Sequence, residues 1–262
     1  MILPRKIYLP LKQHLTIREV TVLTGMRRTG KTTLITKLLS DIPGNNKVYF
    51  DLENISDREL FSETNYDTIP IVLAGRGLDI KHRLTIALDE IQLLPNAPSV
   101  IKYLHDHYDI KFLVTGSSSY YLKNLFSESL AGRKKIFELY PLDFGEFLTF
   151  KGIIYSSHDF TTSKFLAPEY ERLRVYYDEF IRFGGFPEVV LASEHARKKE
   201  LLTDILSSYI NIDIATLADF RRKDIIYALM QLLAGRVGNR LDYAKLARGV
   251  GVSPMTARTY VD

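Results

Sequence analysis

Eight residues set the chemistry to look for. Gly25-Met26-Arg27-Arg28-Thr29-Gly30-Lys31-Thr32 fits the pattern GxxxxGK[ST] at every fixed position. The two glycines let a backbone curl so that successive N–H groups point inward at phosphate oxygens. Lys31 is long enough to reach the β and γ phosphates of a nucleotide, and the Thr32 hydroxyl can ligate Mg2+. Gly25, Arg28, Thr29, Gly30, Lys31, Thr32 and Thr33 are therefore the expected cradle for ATP with Mg2+.

A second constellation bears on hydrolysis. Leu84-Thr85-Ile86-Ala87-Leu88-Asp89-Glu90 is an apolar, β-rich run ending in two carboxylates. An aspartate closing such a strand can hold Mg2+ beside Thr32. Glu90 next to it can polarise an attacking water, general-base work that contributes roughly 10²–10⁴-fold. A strand followed by a polar turn gives the same string without chemistry; coupled to the upstream loop, the pair favours water attack over small-molecule kinase chemistry. A further run, Ile110–Thr115, ends in Gly116-Ser117-Ser118-Ser119. Ser117 is expected beside the γ-phosphate as a sensor, whereas a serine there also suits the N-cap of a helix beginning near Tyr120. Gly132-Arg133 precedes the run Lys135–Leu139. Arg133 is either a surface residue or an arginine that enters a neighbouring copy's site, where such a group is worth about 10³–10⁵ in rate.

The elements around these residues are those the chemistry needs. Glu19–Thr24 is short, β-branched and apolar, and reads as a buried strand. After the loop, Leu34, Ile35, Leu38 and Leu39 fall at helical spacing. Strand, glycine turn and helix together turn the pattern into a site, with the helix N-terminus adding a favourable field for anions. Val48–Asn54 reads as an edge strand whose Asp51 and Glu53 share a face, either flanking the site or simply solvated. Residues 1–18, with Pro4 and Pro10, read as a lead-in against the base of the nucleotide.

Taken in order, the motifs carry a resemblance. The loop above is followed by Val48-Tyr49-Phe50-Asp51-Leu52-Glu53, Leu88-Asp89-Glu90-Ile91-Gln92 and Val114-Thr115-Gly116-Ser117-Ser118. Then come Leu130-Ala131-Gly132-Arg133, Tyr140-Pro141-Leu142-Asp143-Phe144-Gly145-Glu146-Phe147 and Gly184-Gly185-Phe186-Pro187. The chain resembles prokaryotic AAA-type P-loop ATPases of the archaeal-ATPase and STAND neighbourhood, distantly similar to the origin-recognition ATPases. The resemblance implies an α/β fold with sheet order 5-1-4-3-2, a helical lid and a winged helix. By the same likeness Ser117 falls near sensor 1, Arg133 where arginine fingers lie, and Pro187 in a lid motif whose backbone lies near the nucleotide. No clean lid arginine matches a sensor 2. Read from the residues alone, Gly184–Pro187 is a rigid turn between two helices.

Domain limits follow: 1–150 for the ATPase core, 151–220 for the lid, and 221–262 for the start of a winged helix-turn-helix. Gly152–Glu169 is polar and aperiodic, a loop between core and lid. Leu173, Tyr176, Tyr177, Phe180 and Ile181 then stand at helical spacing as lid core. At the C-terminal end, Ile225, Ile226, Leu229, Met230, Leu232 and Leu233 form one amphipathic stripe. Tyr243–Arg248 reads as a short second helix, and Ser253-Pro254 as N-cap and N1 of a third. That third helix stands in a recognition position, with Met255, Arg258 and Thr259 as exposed candidates.

Charge points the same way. From Arg221 to Asp262 there are eight Lys/Arg against three Asp/Glu, 8 − 3 = +5, while the whole chain carries +4. A basic footprint attracts phosphate backbones, so duplex DNA is one expected partner of 221–262 and a protein surface the other. Arg221-Arg222-Lys223 and Arg197-Lys198-Lys199 are either phosphate contacts or solvated faces. Cysteine is absent from the 262 residues, which excludes disulfides and thiolate metal sites. No run is long enough for a membrane span and the N-terminus lacks a signal-peptide core, so a cytoplasmic protein without membrane contact is expected. The chain stops within the third helix, and the resemblance implies a continuation: a fragment, or a naturally short protein. The expected function is an ATP-binding and ATP-hydrolysing enzyme cycling between ATP and ADP states, a homo-oligomer if Arg133 acts on a neighbour. The alternative is a slow nucleotide-gated switch whose winged helix binds protein.

Overall fold

Five strands run parallel: β1 (Val20–Thr24), β3 (Leu84–Asp89) and β4 (Ile110–Gly116), largely apolar or β-branched and buried throughout, and the edge strands β2 (Lys47–Asp51) and β5 (Lys134–Glu138), with charged ends and less buried. In this computed structural model the described residues are 3–117, 130, 132–155, 165–214 and 223–261. Ser118, Ser119, the helix expected near Tyr120, Ala131, Arg221 and Arg222 lie outside them. The sheet order is β2-β3-β4-β1-β5, the expected 5-1-4-3-2 read from its other edge. All pairs are parallel, so every strand ends on the same edge of the sheet. The register there sets Asp51 opposite Asp89, and Thr24 opposite both Gly116 and Glu138.

Strand parity then divides the side chains. Val20, Val22, Phe50, Leu84, Ile86, Leu88, Ile110, Phe112 and Val114 pack on one face. They meet α3 (Ile55–Ser62) through Phe61, α4 (Thr68–Gly75) through Leu73, and α5 (Ala97–His107) through Val100 and Leu104. Leu23, Ala87, Leu113 and Phe137 belong to the other face, against α1 (Tyr8–His14) and α2 (Lys31–Asp41). Tyr49, Asp89, Lys111 and Thr115 have the parity of this second face, which is the one that carries the phosphate loop.

The lead-in is thus partly helical, because Pro10 falls in the first turn of α1, where no intrahelical donor is lost. The edge strand is shorter than expected. It ends at Asp51, whose carboxylate accepts from Glu53 N at 2.9 Å and turns the chain, so Asp51 and Glu53 do not share a strand face.

Beyond the sheet, α6 (Phe144–Phe150) opens with a capping box between Asp143 and Glu146. With α7 (Ala167–Phe183) and α8 (Pro187–Leu191) it buries Leu142, Phe147, Leu148 and Val190. Leu173, Tyr176 and Phe180 pack against that cluster, but Tyr177 and Ile181 are exposed, because a single helix face cannot hold all five. In α9 (His195–Ser208), Lys198 is neither a phosphate contact nor a solvated residue. It is buried, donates to Val189 O at 2.6 Å and pairs with Glu179 at 2.9 Å.

The chain forms two compact units, Met1–Thr203 and Asp204–Asp262. The second contains α10 (Lys223–Ala234), α11 (Tyr243–Val250) and α12 (Pro254–Val261). Ile225, Ile226, Leu229, Leu246, Ala247 and Ala257 are its buried apolar residues in these helices. Asp242 caps α11 through Lys245 N at 3.0 Å, and Ser253 accepts from Thr256 N at 3.0 Å at the start of α12. Met255, Arg258 and Thr259 are exposed.

Candidate functional site

The phosphate loop leaves β1 at Thr24 and enters α2 at Lys31, with Gly30 as its N-cap at φ 98°. Gly25 is required by packing: at φ 149° a Cβ would overlap the carbonyl oxygen of Leu139, just after β5. That approach is held by Leu139 N donating to Thr24 O at 2.7 Å. Lys31 is buried, and its ammonium donates to the carbonyls of Gly25 and Met26 at 2.9 and 3.0 Å, inside the curl of the loop.

Asp89 at the end of β3 gathers three hydroxyls. Thr32 Oγ1 donates to Oδ2 at 2.6 Å, Tyr49 Oη donates to the same oxygen at 2.8 Å, and Thr115 Oγ1 donates to Oδ1. Burial and the bond to Asp89 push the Tyr49 phenol well above its ordinary value, keeping it a donor. Glu90 follows in the left-handed region at φ 55°, as does Arg28 of the loop at φ 62°. Such backbone costs a residue with a Cβ roughly 1–2 kcal/mol, and strain of this kind gathers at functional sites. Glu90 N donates to Thr115 Oγ1 at 3.2 Å, and the Glu90 carboxylate accepts from Gln92 Nε2. Ser117, buried just beyond β4, accepts from the same Gln92 nitrogen at 3.2 Å.

Lys31, Thr32, Asp89, Glu90 and Ser117 therefore meet at one edge of the sheet. Thr33 follows in the first turn of α2, exposed. Pro187 opens α8, and its neighbour Glu188 faces Arg28 of the loop at 3.6 Å. Arg133 is not brought to this site. It precedes Lys134, which pairs with Val20 at the start of β1, and its Nε meets Asp106 at 3.1 Å. A five-residue strand at about 3.3 Å per residue separates that end of the sheet from the loop.

Nothing in the sequence alone singles out Tyr49, Thr115, Gln92 or Arg5. Arg5 is buried; it donates to Thr29 O at 2.9 Å and Tyr140 O at 2.7 Å, and pairs with Glu146 at 3.1 Å. The Asp143-x-x-Glu146 spacing was the available signal for its acidic partner, since it writes out a capping box.

The residues present fit Mg2+ and a nucleoside triphosphate. Thr32 and Asp89 offer adjacent hard oxygens, and Mg2+ is commonly held by one or two protein oxygens together with substrate phosphates. Among the described residues no group of three or more His, Cys, Asp or Glu forms a separate metal cage.

A parallel five-stranded sheet with this order, a phosphate loop after β1 and an acidic pair closing β3 define a P-loop nucleotide-binding fold of the AAA type. A family model described as an AAA domain matches residues 17–148, half of the chain, and the chain belongs to that family. Residues 174–262 match a domain of unknown function (DUF8612). An uncharacterized protein of Methanocaldococcus jannaschii is 29% identical over 229 residues, covering 87% of this chain and 49% of that protein. One from Mycobacterium tuberculosis is 29% identical over 254 residues, covering 96% and 49%. The chain spans about half the length of the curated relatives it matches. In fold it is similar to the Aeropyrum pernix ORC1 protein, solved in complex with DNA, with a TM-score of 0.51 at 11% identity, covering 100% of this chain and 82% of that one. Among the described residues no helix is long and apolar enough to cross a membrane.

Proposed function

We propose that this chain is a Mg2+-dependent ATP hydrolase of AAA type, cytoplasmic, whose turnover is coupled to duplex DNA through residues 221–262. The observation that carries the reading is Asp89: its carboxylate is fixed by Thr32 of the loop and by Thr115 of β4, with Glu90 next in the chain. Bound Mg2+ would neutralise charge on the phosphate oxygens. Lys31 and the N–H groups of residues 25–33 hold the β and γ phosphates. Glu90 takes the proton from water as its oxygen attacks the γ-phosphorus in line, and the bond to the β-phosphate oxygen breaks to release ADP. Ser117 reads the γ-phosphate, Pro187 carries the lid backbone to the nucleotide, and Arg133 of a neighbouring copy completes the site. In this reading residues 1–150 are the core, 151–220 the lid and 221–262 the start of a winged helix. The DNA part is supported by the basic excess of 221–262 and by a fold relative solved on DNA.

Steady-state ATP hydrolysis with and without duplex DNA, for the chain, Lys31→Ala and Glu90→Gln, tests the proposal. Duplex DNA is expected to stimulate turnover. Lys31→Ala should abolish it, and Glu90→Gln should lower it by about 10²-fold or more while nucleotide still binds. Full activity in Lys31→Ala would sink the site assignment. Turnover indifferent to DNA would transfer residues 221–262 to protein coupling. Very slow turnover with tightly retained nucleotide would make the chain a switch instead.

A further inference from the structure

Gln92 belongs to a 3-10 turn, Ile91–Leu93, that follows Glu90 directly. Buried Ile91 anchors the turn, and Leu93 N donates to Glu90 O at 3.0 Å. This turn brings the Gln92 amide back over the preceding carboxylate and against the end of β4. The amide orientation is dictated by its partner, because a carboxylate only accepts and Gln92 must present its NH2 group. Both amide hydrogens are then used, one on Glu90 and one on Ser117 Oγ at 3.2 Å. Oε1 is left buried with no partner among the described residues. The Glu90 main chain is tied independently, through its N–H, to Thr115.

We infer that Gln92 is a positioning residue for hydrolysis: it fixes the Glu90 carboxylate relative to Ser117, so that the base is aimed before water attacks. The inference rests on the hydrolase reading above. It predicts a defect in turnover without a comparable defect in nucleotide binding, because Gln92 touches Glu90 and Ser117 but makes no bond to the phosphate loop among the described residues.

The test compares Gln92→Leu and Gln92→Glu with Glu90→Gln, and with the double variant Gln92→Leu/Glu90→Gln, all in the full chain. Leu is close to Gln in volume and leaves Glu90 without its donor; Glu places a like charge beside it. Both single variants should lose at least about tenfold in kcat, a part of the roughly 10²–10⁴-fold general-base contribution. Affinity for a non-hydrolysable ATP analogue should stay within about twofold of the parent, and the double variant should be no slower than Glu90→Gln alone, as expected for groups acting as a unit. Undiminished kcat in Gln92→Leu, or losses that multiply in the double variant, would overturn the inference alone. Absence of turnover in the parent chain overturns the hydrolase reading, and this inference with it.

Discussion

Lys111 stands on β4 with its side chain buried and its ammonium donating to Glu19 O. Burial, reinforced by nearby Arg83 and opposed by Glu19, pushes it down to about 7 from an ordinary 10.5. Between those values the unfolded chain holds a proton that the folded chain lacks, so stability rises with pH through that window. His14, also lowered by burial and facing Glu19, Lys111 and Lys135, adds a rise on the acid side of its ordinary value. Thermal melting should therefore climb between about pH 7 and 10, and Lys111→Met should flatten the climb; equal slopes in the two proteins would remove Lys111 as its source. The same residue illustrates what the sequence hides. Lys31, Thr32 and Asp89 were legible because a phosphate loop and a carboxylate closing a strand have fixed local spacing. Tyr49 and Thr115 were not, because strand register and parity bring them to Asp89 from far apart in the chain, and Gln92 was not, because a 3-10 turn folds it back toward Glu90 and Ser117.

Elements were read best where one physical cause dominated. The buried central strands β1, β3 and β4 appear as largely apolar, β-branched runs, and the edge strands β2 and β5 carry a shorter apolar centre between charged ends. Where two causes compete the pattern blurs: Pro10 obscures α1, and the aromatic stripe of α7 mixes packed Leu173, Tyr176 and Phe180 with exposed Tyr177 and Ile181. Gly184–Pro187 reads locally as a turn, but its packing explains the glycine. Gly185 O accepts from Leu142 N at 2.7 Å, and a Cβ on Gly185 would overlap the Leu142 carbonyl oxygen. Since the obstacle is backbone, it cannot swing aside. Gly185→Ala is expected to cost about 1–3 kcal/mol, visible as a lower denaturant midpoint with an unchanged slope. A midpoint equal to the parent's would show that the α6 and α8 region yields more readily than the packing implies.

For the whole molecule, the basic charge is concentrated in the C-terminal residues. The eight cations against three acids from Arg221 onward outweigh the balance of the entire chain. Lys245 and Arg248 lie exposed on α11. If they meet DNA, Lys245→Glu/Arg248→Glu should weaken binding and make the log–log salt slope less negative by about 0.9 for each phosphate left un-neutralised. A slope that does not move would place the DNA-binding cations elsewhere. The motif order made the sheet and phosphate loop of the first unit legible, whereas no spacing in the second encodes what its surface would meet. Arg5 has a consequence of another kind, for the timing of synthesis. Its guanidinium ties Thr29 of the phosphate loop to Glu146, which lies 141 positions after Arg5. A nascent chain emerging N-terminus first thus displays the loop long before its brace exists. Full affinity for nucleotide should appear late on the ribosome, only once Glu146 has cleared the exit tunnel.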